Sequence, residues 1–270
     1  MVLALVVFII TMVFSALAAS GKPFLVSTGN ISDEFVTEIT PSGWTFAIWG
    51  IIYTFLALVL VYVLSGFFRN EYGYVYCSPA VLSHGFFVLW CLNLILNIGW
   101  LLLWDRIIVA SLIFLILVAS TNYSVIFFSC YGLHKYGAWL NKYHKNGVAI
   151  YATWTTIATL VNLAIVVSYD GNMSPPDAAT LSLSILTVVL IVFVLENFVL
   201  DKHVRYILIV YPVVIWALSG NLDKNFDAQS PSRNGIFIVL LSISCALFVI
   251  RLILVIWRHI KQPLYEDVDP

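Results

Sequence analysis

The sequence predicts an all-α protein that crosses a membrane many times, and three observations carry that prediction. Of the 270 residues, 61% are hydrophobic and only 10% are charged, where a soluble domain carries about 25% charged residues. Apolar runs of about 20 residues, enough to cross a hydrocarbon core of ~30 Å, fill most of the chain. These runs do not alternate polar with apolar residues as barrel strands do, and open strands would leave backbone groups without partners in lipid. A net charge of −1 and the lack of a Lys/Arg run exclude a nucleic-acid footprint.

Eight spans follow in order. The first, 2–19, ends near Ala16-Leu17-Ala18, which resembles a signal-peptide cleavage site. It lacks a basic N-terminal region, however, and is long for such a signal. Removal would leave seven spans. Segment 20–43 is the longest on its side, carries Asp33, Glu34 and Glu38, and ends near Pro41, a residue suited to the first turn of a helix. It reads equally well as a lid over the bundle or as a tether. The second span is 44–67. The third and fourth, 81–104 and 107–130, are joined by Asp105-Arg106 alone, so these helices are expected to be antiparallel neighbours. The fifth is 148–168 and the sixth 179–200. The seventh, 206–220, is short and begins against Arg205; the eighth is 235–257. Residues 258–270 form a short tail with an acidic end. Cys77, Cys91, Cys130 and Cys245 have no metal-type spacing and read as packing residues.

Positive charge sets the orientation. Segments 68–80, 131–147, 201–205 and 258–270 hold Arg69, Lys135, Lys142, Lys145, Lys202, Arg205, Arg258 and Lys261, whereas the opposite segments hold Lys22, Arg106, Lys224 and Arg233. The first set is expected to be cytoplasmic, with both termini. The sequons at Asn30 and Asn172 both fall on the outer side, where glycosylation is open to them. The sequon at Asn122 lies inside a span and is expected to be inaccessible.

The specific chemistry is aromatic and amide. Trp90, Asn93, Asn97, Trp100 and Trp104 form one stripe on the third span, about 21 Å long at 1.5 Å per residue. Trp154, Ala158 and Asn162 share a face of the fifth span, and Trp49 and Tyr53 a face of the second. Carboxamides in hydrocarbon need partners, so Asn93, Asn97 and Asn162 serve either as glue between helices or as polar anchors of an aromatic-walled pocket. Trp44, Trp104 and Trp257 sit at span ends and read as interfacial belt residues. Trp49, Trp90, Trp100 and Trp154 lie deeper, where each indole N–H needs a partner. Glu196 and Arg251 lie close enough to cytoplasmic ends to snorkel, the alternative being an ion or proton relay. No phosphate loop, zinc-protease motif or nucleophile elbow is present, and no metal site is expected.

At these residues the chain resembles the TspO/MBR family of tryptophan-rich sensory proteins, which includes the translocator protein or peripheral benzodiazepine receptor. Pro41, Trp44, Trp49 and Tyr53 match, in order, the start of the family's second helix. Leu96, Asn97 and Trp100 match its third helix, and Tyr151, Trp154, Ala158 and Asn162 its fifth. The resemblance implies a five-helix bundle over 1–168 with a capping loop at 20–43, a retained first helix, and three additional transmembrane helices over 169–257. It implies a flat hydrophobic ligand, of the porphyrin or haem type, in a pocket lined by Trp49, Asn97, Trp100, Trp154 and Ala158, with no cofactor required; Tyr53, Asn93 and Asn162 join this candidate site from the helical faces they share with those residues. Ala47-Ile48 and Ile150 stand where the family has helix-distorting prolines, changes expected to remove those distortions. The sterol-recognition pattern is not matched after Asn162.

The leading expectation is therefore a non-enzymatic membrane protein that binds a hydrophobic small molecule, with a homodimer left open as a further partnership. A transporter or channel and a heptahelical receptor are the alternatives. The outer sequons favour a secretory-pathway or plasma membrane over the mitochondrial outer membrane.

Overall fold

A computed structural model describes residues 2–21, 24–65, 84–132, 138–229 and 231–262 of the chain. The whole of segment 68–80 with Arg69 and Cys77, Lys135 and the acidic end of the tail fall outside these residues. Within them the elements are helical. Helix α1 (Val2–Ser20) leads to the short α2 (Thr28–Glu34), then to a 3-10 turn (Gly43–Ala47) that feeds α3 (Ile48–Ser65). There follow α4 (His84–Trp104), α5 (Ile108–Gly132), α6 (Ala138–Tyr169), α7 (Pro175–Val199), the single turn α8 (Asp201–Val204), α9 (Val210–Asn225) and α10 (Pro231–Lys261).

Among the described residues, seven helices are long and apolar enough to cross a bilayer. The protein is an all-α, integral multi-pass membrane protein. The predicted seventh span is corrected. In place of 206–220 stands α9, Val210–Asn225, with 16 residues, about 24 Å at 1.5 Å per residue and short of a full hydrocarbon core. Its start is delayed by a turn: Ile207 N donates to Val204 O at 2.9 Å, and Leu208 N and Ile209 N donate to Asn146 Oδ1 at 2.9 and 3.3 Å. Its end carries Asp223, Lys224 and Asn225 into polar surroundings.

Helix α6 is the central post. Of its membrane-crossing window 67% is buried, against 22–39% for the other six. It packs against α3, α5, α7 and α9, and its small residues Ala149, Ala152 and Ala164 are each within 1% of full burial, which lets neighbouring helices approach closely. Helix α7 starts as its sequence dictates: Ser174 caps it by accepting Asp177 N at 3.3 Å, with prolines in the first turn. Asn172, just before, takes φ 52°, a left-handed conformation that asparagine tolerates.

The distortion expected to vanish from the second span is present. Residues Gly43–Ala47 are 3-10, and α-helix begins only at Ile48. Helix α6 runs through Ile150 unbroken, as expected without a proline. Segment 20–43 contains α2, whose cap Ser27 Oγ accepts Asn30 N at 3.3 Å.

At the other end of the bundle Asp201 is held by Arg205 at 2.8 Å through Nε and by Arg258. Arg251 does not snorkel: it is 3% exposed, and its Nη2 donates to Val204 O at 2.9 Å and Arg205 O at 3.0 Å. Those carbonyls sit where the chain turns, so the guanidinium closes the α8–α9 connection from inside.

Candidate functional site

Helices α3, α4 and α6 each deliver aromatic side chains to one place. Trp49 and Trp100 stack with ring centroids 5.6 Å apart and planes at 24°. Tyr53 continues the stack on Trp49 at 5.8 Å. Trp154 and Tyr151 meet Trp49 edge-on at 6.5 and 6.1 Å, and Trp104 lies tilted beside Trp100 at 6.0 Å. Offset-stacked and edge-to-face pairs are the arrangements aromatic rings prefer.

This wall separates two cavities, both of which touch Thr28, Phe46, Trp49 and Trp100. The larger, about 430 Å³, is lined by α1, α3, α4 and residues of α2, among them Ser15, Ala16, Gly50 and Tyr53. The smaller, about 40 Å³, is lined by α4, α6 and α9, with Trp104, Trp154, Ala158, Asn162 and Asn221.

The predicted site residues separate into two groups. Trp49, Tyr53, Trp100, Trp154, Ala158 and Asn162 all line one cavity or the other. Asn97 sits behind the larger one, its Nδ2 donating to Tyr53 Oη at 3.0 Å, and Tyr53 Oη also contacts Ser15 Oγ at 2.5 Å. Asn93 lies elsewhere: its Nδ2 donates to Val118 O at 2.9 Å and Thr121 Oγ1 at 2.8 Å, which joins α4 to α5. Trp90 borders the same small void as Asn93, away from the wall. Asn122, of the inaccessible sequon, is buried and donates to Thr155 Oγ1 at 3.1 Å.

Among the described residues, five buried polar atoms around the wall have no partner: Trp100 Nε1, Trp154 Nε1, Tyr151 Oη, Asn97 Oδ1 and Asn162 Oδ1. Asn162 Nδ2 donates to Ser111 Oγ at 2.9 Å, so each of these carboxamides spends its nitrogen on a neighbouring helix and keeps its oxygen free. An unpaired buried polar group costs about 1–3 kcal/mol. Two indole donors and two amide acceptors among aromatic faces suit a flat apolar molecule with a polar edge. Among the described residues no group of three or more His, Cys, Asp or Glu gathers to hold a metal.

Sequence reasoning missed part of this site. Trp104, read as a belt residue, is 6% exposed and donates to Thr28 O at 3.3 Å; the start of α2 covers it. Helix α9 was not expected here at all. Its Gly220 O accepts Ser42 N at 3.0 Å, Trp216 Nε1 donates to Thr45 O at 3.0 Å, and Trp44 Nε1 donates to Asp223 Oδ2 at 3.0 Å. Trp44 and Trp216 meet edge-on at 4.9 Å. The Asn221 carboxamide lies 3.2 Å from both Ala217 O and Ile39 O, a place its nitrogen alone satisfies. A signal existed: Trp216, Ala217, Gly220 and Asn221 repeat on α9 the aromatic, small and amide punctuation of the fifth span.

The segment 24–47 is consequently tied down on several sides. Leu25 N donates to Asp105 Oδ2 at 2.8 Å, Asn225 Nδ2 to Thr40 O at 2.9 Å, and Tyr169 Oη to Val36 O at 3.2 Å. Lys224 pairs with Asp33. These bonds fasten the segment to the α4–α5 turn and to the ends of α6 and α9.

No curated protein and no solved structure matches the chain. A family model described as TSPO-like protein matches residues 1–256. That match continues through α7 and α9 into α10, beyond the residues 1–168 that carried the resemblance in the sequence. The motifs of α3, α4 and α6, the cap above them and a match over nearly the full length agree: the chain belongs to the TSPO-like protein family.

Proposed function

We propose that this membrane protein binds a flat hydrophobic molecule of the tetrapyrrole class against the wall formed by Trp49 and Trp100, beneath segment 24–47. The single observation that carries the reading is that stack, 5.6 Å between centroids, with unpartnered indole and carboxamide atoms beside it. The larger cavity, about 430 Å³, is within the ~300–1,000 Å³ usual for small-molecule sites. Aromatic faces supply stacking and dispersion, and the free N–H and C=O groups orient the ligand's polar edge.

The charge distribution supports the orientation read from the sequence. Lys145, Arg205, Arg251 and Arg258 gather at one end with Asp201, whereas Asp33, Asp105 and Asp223, with Arg106 and Lys224, lie at the cap end. In this reading the cap faces the exoplasmic side, both termini are cytoplasmic, and Asn30 and Asn172, both exposed, are accessible acceptors for glycans.

Titration of the purified protein with protoporphyrin, followed through the porphyrin's own absorbance band, tests the binding site. A Trp49→Ala, Trp154→Ala double variant is expected to bind at least about tenfold more weakly, since aromatic pairs are each worth roughly 0.5–1.5 kcal/mol beyond area burial. Equal affinity in wild type and double variant overturns the site.

A further inference from the structure

A further cavity, about 310 Å³, lies at the opposite end of the bundle from the cap. Three helical faces build it. Tyr123 and Phe127 of α5 stand on one side, Phe193 and Glu196 of α7 on the other, and Ala149, Ala152 and Thr153 of α6 form the floor. Each set follows helical i, i+3 or i+4 spacing and so shares a face. The hollow exists because α5 and α7 both pack against α6 where its side chains are too short to fill the space between them. Tyr211 of α9 and His203 close the inner end. At the mouth, Phe127 is 61% and Leu200 45% exposed, so the opening meets the acyl chains of the surrounding bilayer.

Glu196 is the acidic side chain in this wall. It is partly buried, and among the described residues it has neither a hydrogen-bond nor an ion-pair partner. Of the nearby bases, His203 lines the inner end of the cavity and is itself in contact with other groups, and the other four are engaged elsewhere. Lys145 Nζ donates to His203 O at 2.9 Å, Arg205 and Arg258 hold Asp201, and Arg251 donates to the Val204 and Arg205 carbonyls. None of these four lines the cavity. A carboxylate at membrane depth is costly unless a cation or a hydrogen-bond donor meets it, and such residues commonly mark ligand or ion sites.

We propose that this cavity is a second ligand site, one that takes an amphiphile with a protonated amine head. The ammonium pairs with Glu196, and the apolar body lies over the alanine floor towards the lipid-facing mouth. A neutral or anionic amphiphile of the same length lacks the charge that the carboxylate selects. The site shares no residue with the aromatic wall and does not depend on the tetrapyrrole reading.

Thermal unfolding of the full chain in an uncharged detergent, followed by tryptophan fluorescence, tests this with octylamine, octanol and octanoate. Octylamine is expected to raise the midpoint by a few degrees when well above its dissociation constant, and octanol and octanoate are expected not to. Glu196→Gln, near-isosteric at a residue without partners, is expected to lose the octylamine shift, and Glu196→Asp to keep part of it. A shift retained in full by Glu196→Gln overturns the proposal. So does octanol or octanoate matching octylamine in wild type, or no octylamine shift at all; this three-ligand comparison requires no variant to fold.

Discussion

Trp49 of α3 and Trp100 of α4 lie nearly parallel, their centroids 5.6 Å apart, and together they form a partition with a cavity on each side. One face addresses the space under α1 and the cap, the other the space between α6 and α9. Any change to either indole therefore reaches both cavities.

Trp100→Ala is expected to weaken protoporphyrin binding by about an order of magnitude, and Trp100→Phe by much less, because a smaller ring preserves a stacking face at roughly 0.5–1.5 kcal/mol per aromatic pair. Absorbance titration of both variants measures this. Equal affinities for Trp100→Ala and wild type would remove the partition from the site.

Tyr53→Phe tests the polar backing of the wall. The hydroxyl accepts Asn97 Nδ2 at 3.0 Å and contacts Ser15 Oγ at 2.5 Å, so its loss leaves Asn97, already short of a partner at Oδ1, with neither end of its carboxamide bonded. A destabilisation of about 1–2 kcal/mol is expected, read as a lower unfolding midpoint. An unchanged midpoint would show that the α1–α3–α4 bridge contributes nothing.

Gly220 is where α9 touches the cap. A Cβ added there would lie 2.0 Å from Thr45 Cγ2, and Thr45 is fully buried. Gly220→Ala should cost about 1–3 kcal/mol as overpacking. Thr45→Ser removes the clashing methyl while keeping the hydroxyl that donates to Ser42 O at 2.6 Å, so the double variant is expected to recover much of the loss. A double-mutant cycle showing strict additivity would contradict this contact.

The Asp201 cluster makes stability depend on acid. Burial pushes this carboxyl up, but hydrogen bonds and charge from Arg205 and Arg258 outweigh that and hold it below its ordinary value. A carboxyl with a depressed folded pKa stabilises fully above its unfolded value of about 3.9, and the contribution is lost as pH falls through the folded value. The unfolding midpoint should therefore drop on acidification below about pH 4. Asp201→Asn should lower the midpoint at neutral pH and flatten that acid limb; an unaltered acid limb would contradict the assignment.

Expression in a glycosylating eukaryotic cell tests orientation. Asn30→Gln and Asn172→Gln are each expected to remove one glycosidase-sensitive mobility shift, and Asn122→Gln none, since Asn122 is buried between α5 and α6. Absence of any glycan on wild-type protein made in the secretory pathway would argue for the inverted orientation.

Several features were legible in the sequence because they are local. Length and apolar content announced the membrane helices, and the two residues Asp105-Arg106 were enough to set α4 against α5, which do pack together. Helical spacing put Trp154, Ala158 and Asn162 on one face, and all three line the smaller cavity. The cap's helix α2 was hidden in a segment too short and polar to show a period, although Ser27 is a good N-cap residue. Arg251 looked able to snorkel because distance to a helix end is readable in one dimension. Its two carbonyl partners belong to a turn that exists only after α8 and α9 have been placed.

By itself, then, the sequence determined an all-helical membrane class and the faces on which aromatic and amide groups stand, because apolar length and a 3.6-residue period are properties of one segment. Only tertiary structure decided how those groups are used. Asn93 spends its amide on α5, while Asn97 and Asn162 keep an oxygen free beside the aromatic wall. Trp104 turns inward under α2, and α9, set four residues further along the chain than the span expected there, fastens the cap. Each outcome is a choice of partner across helices, and that choice depends on which faces meet, a relation that no single segment encodes.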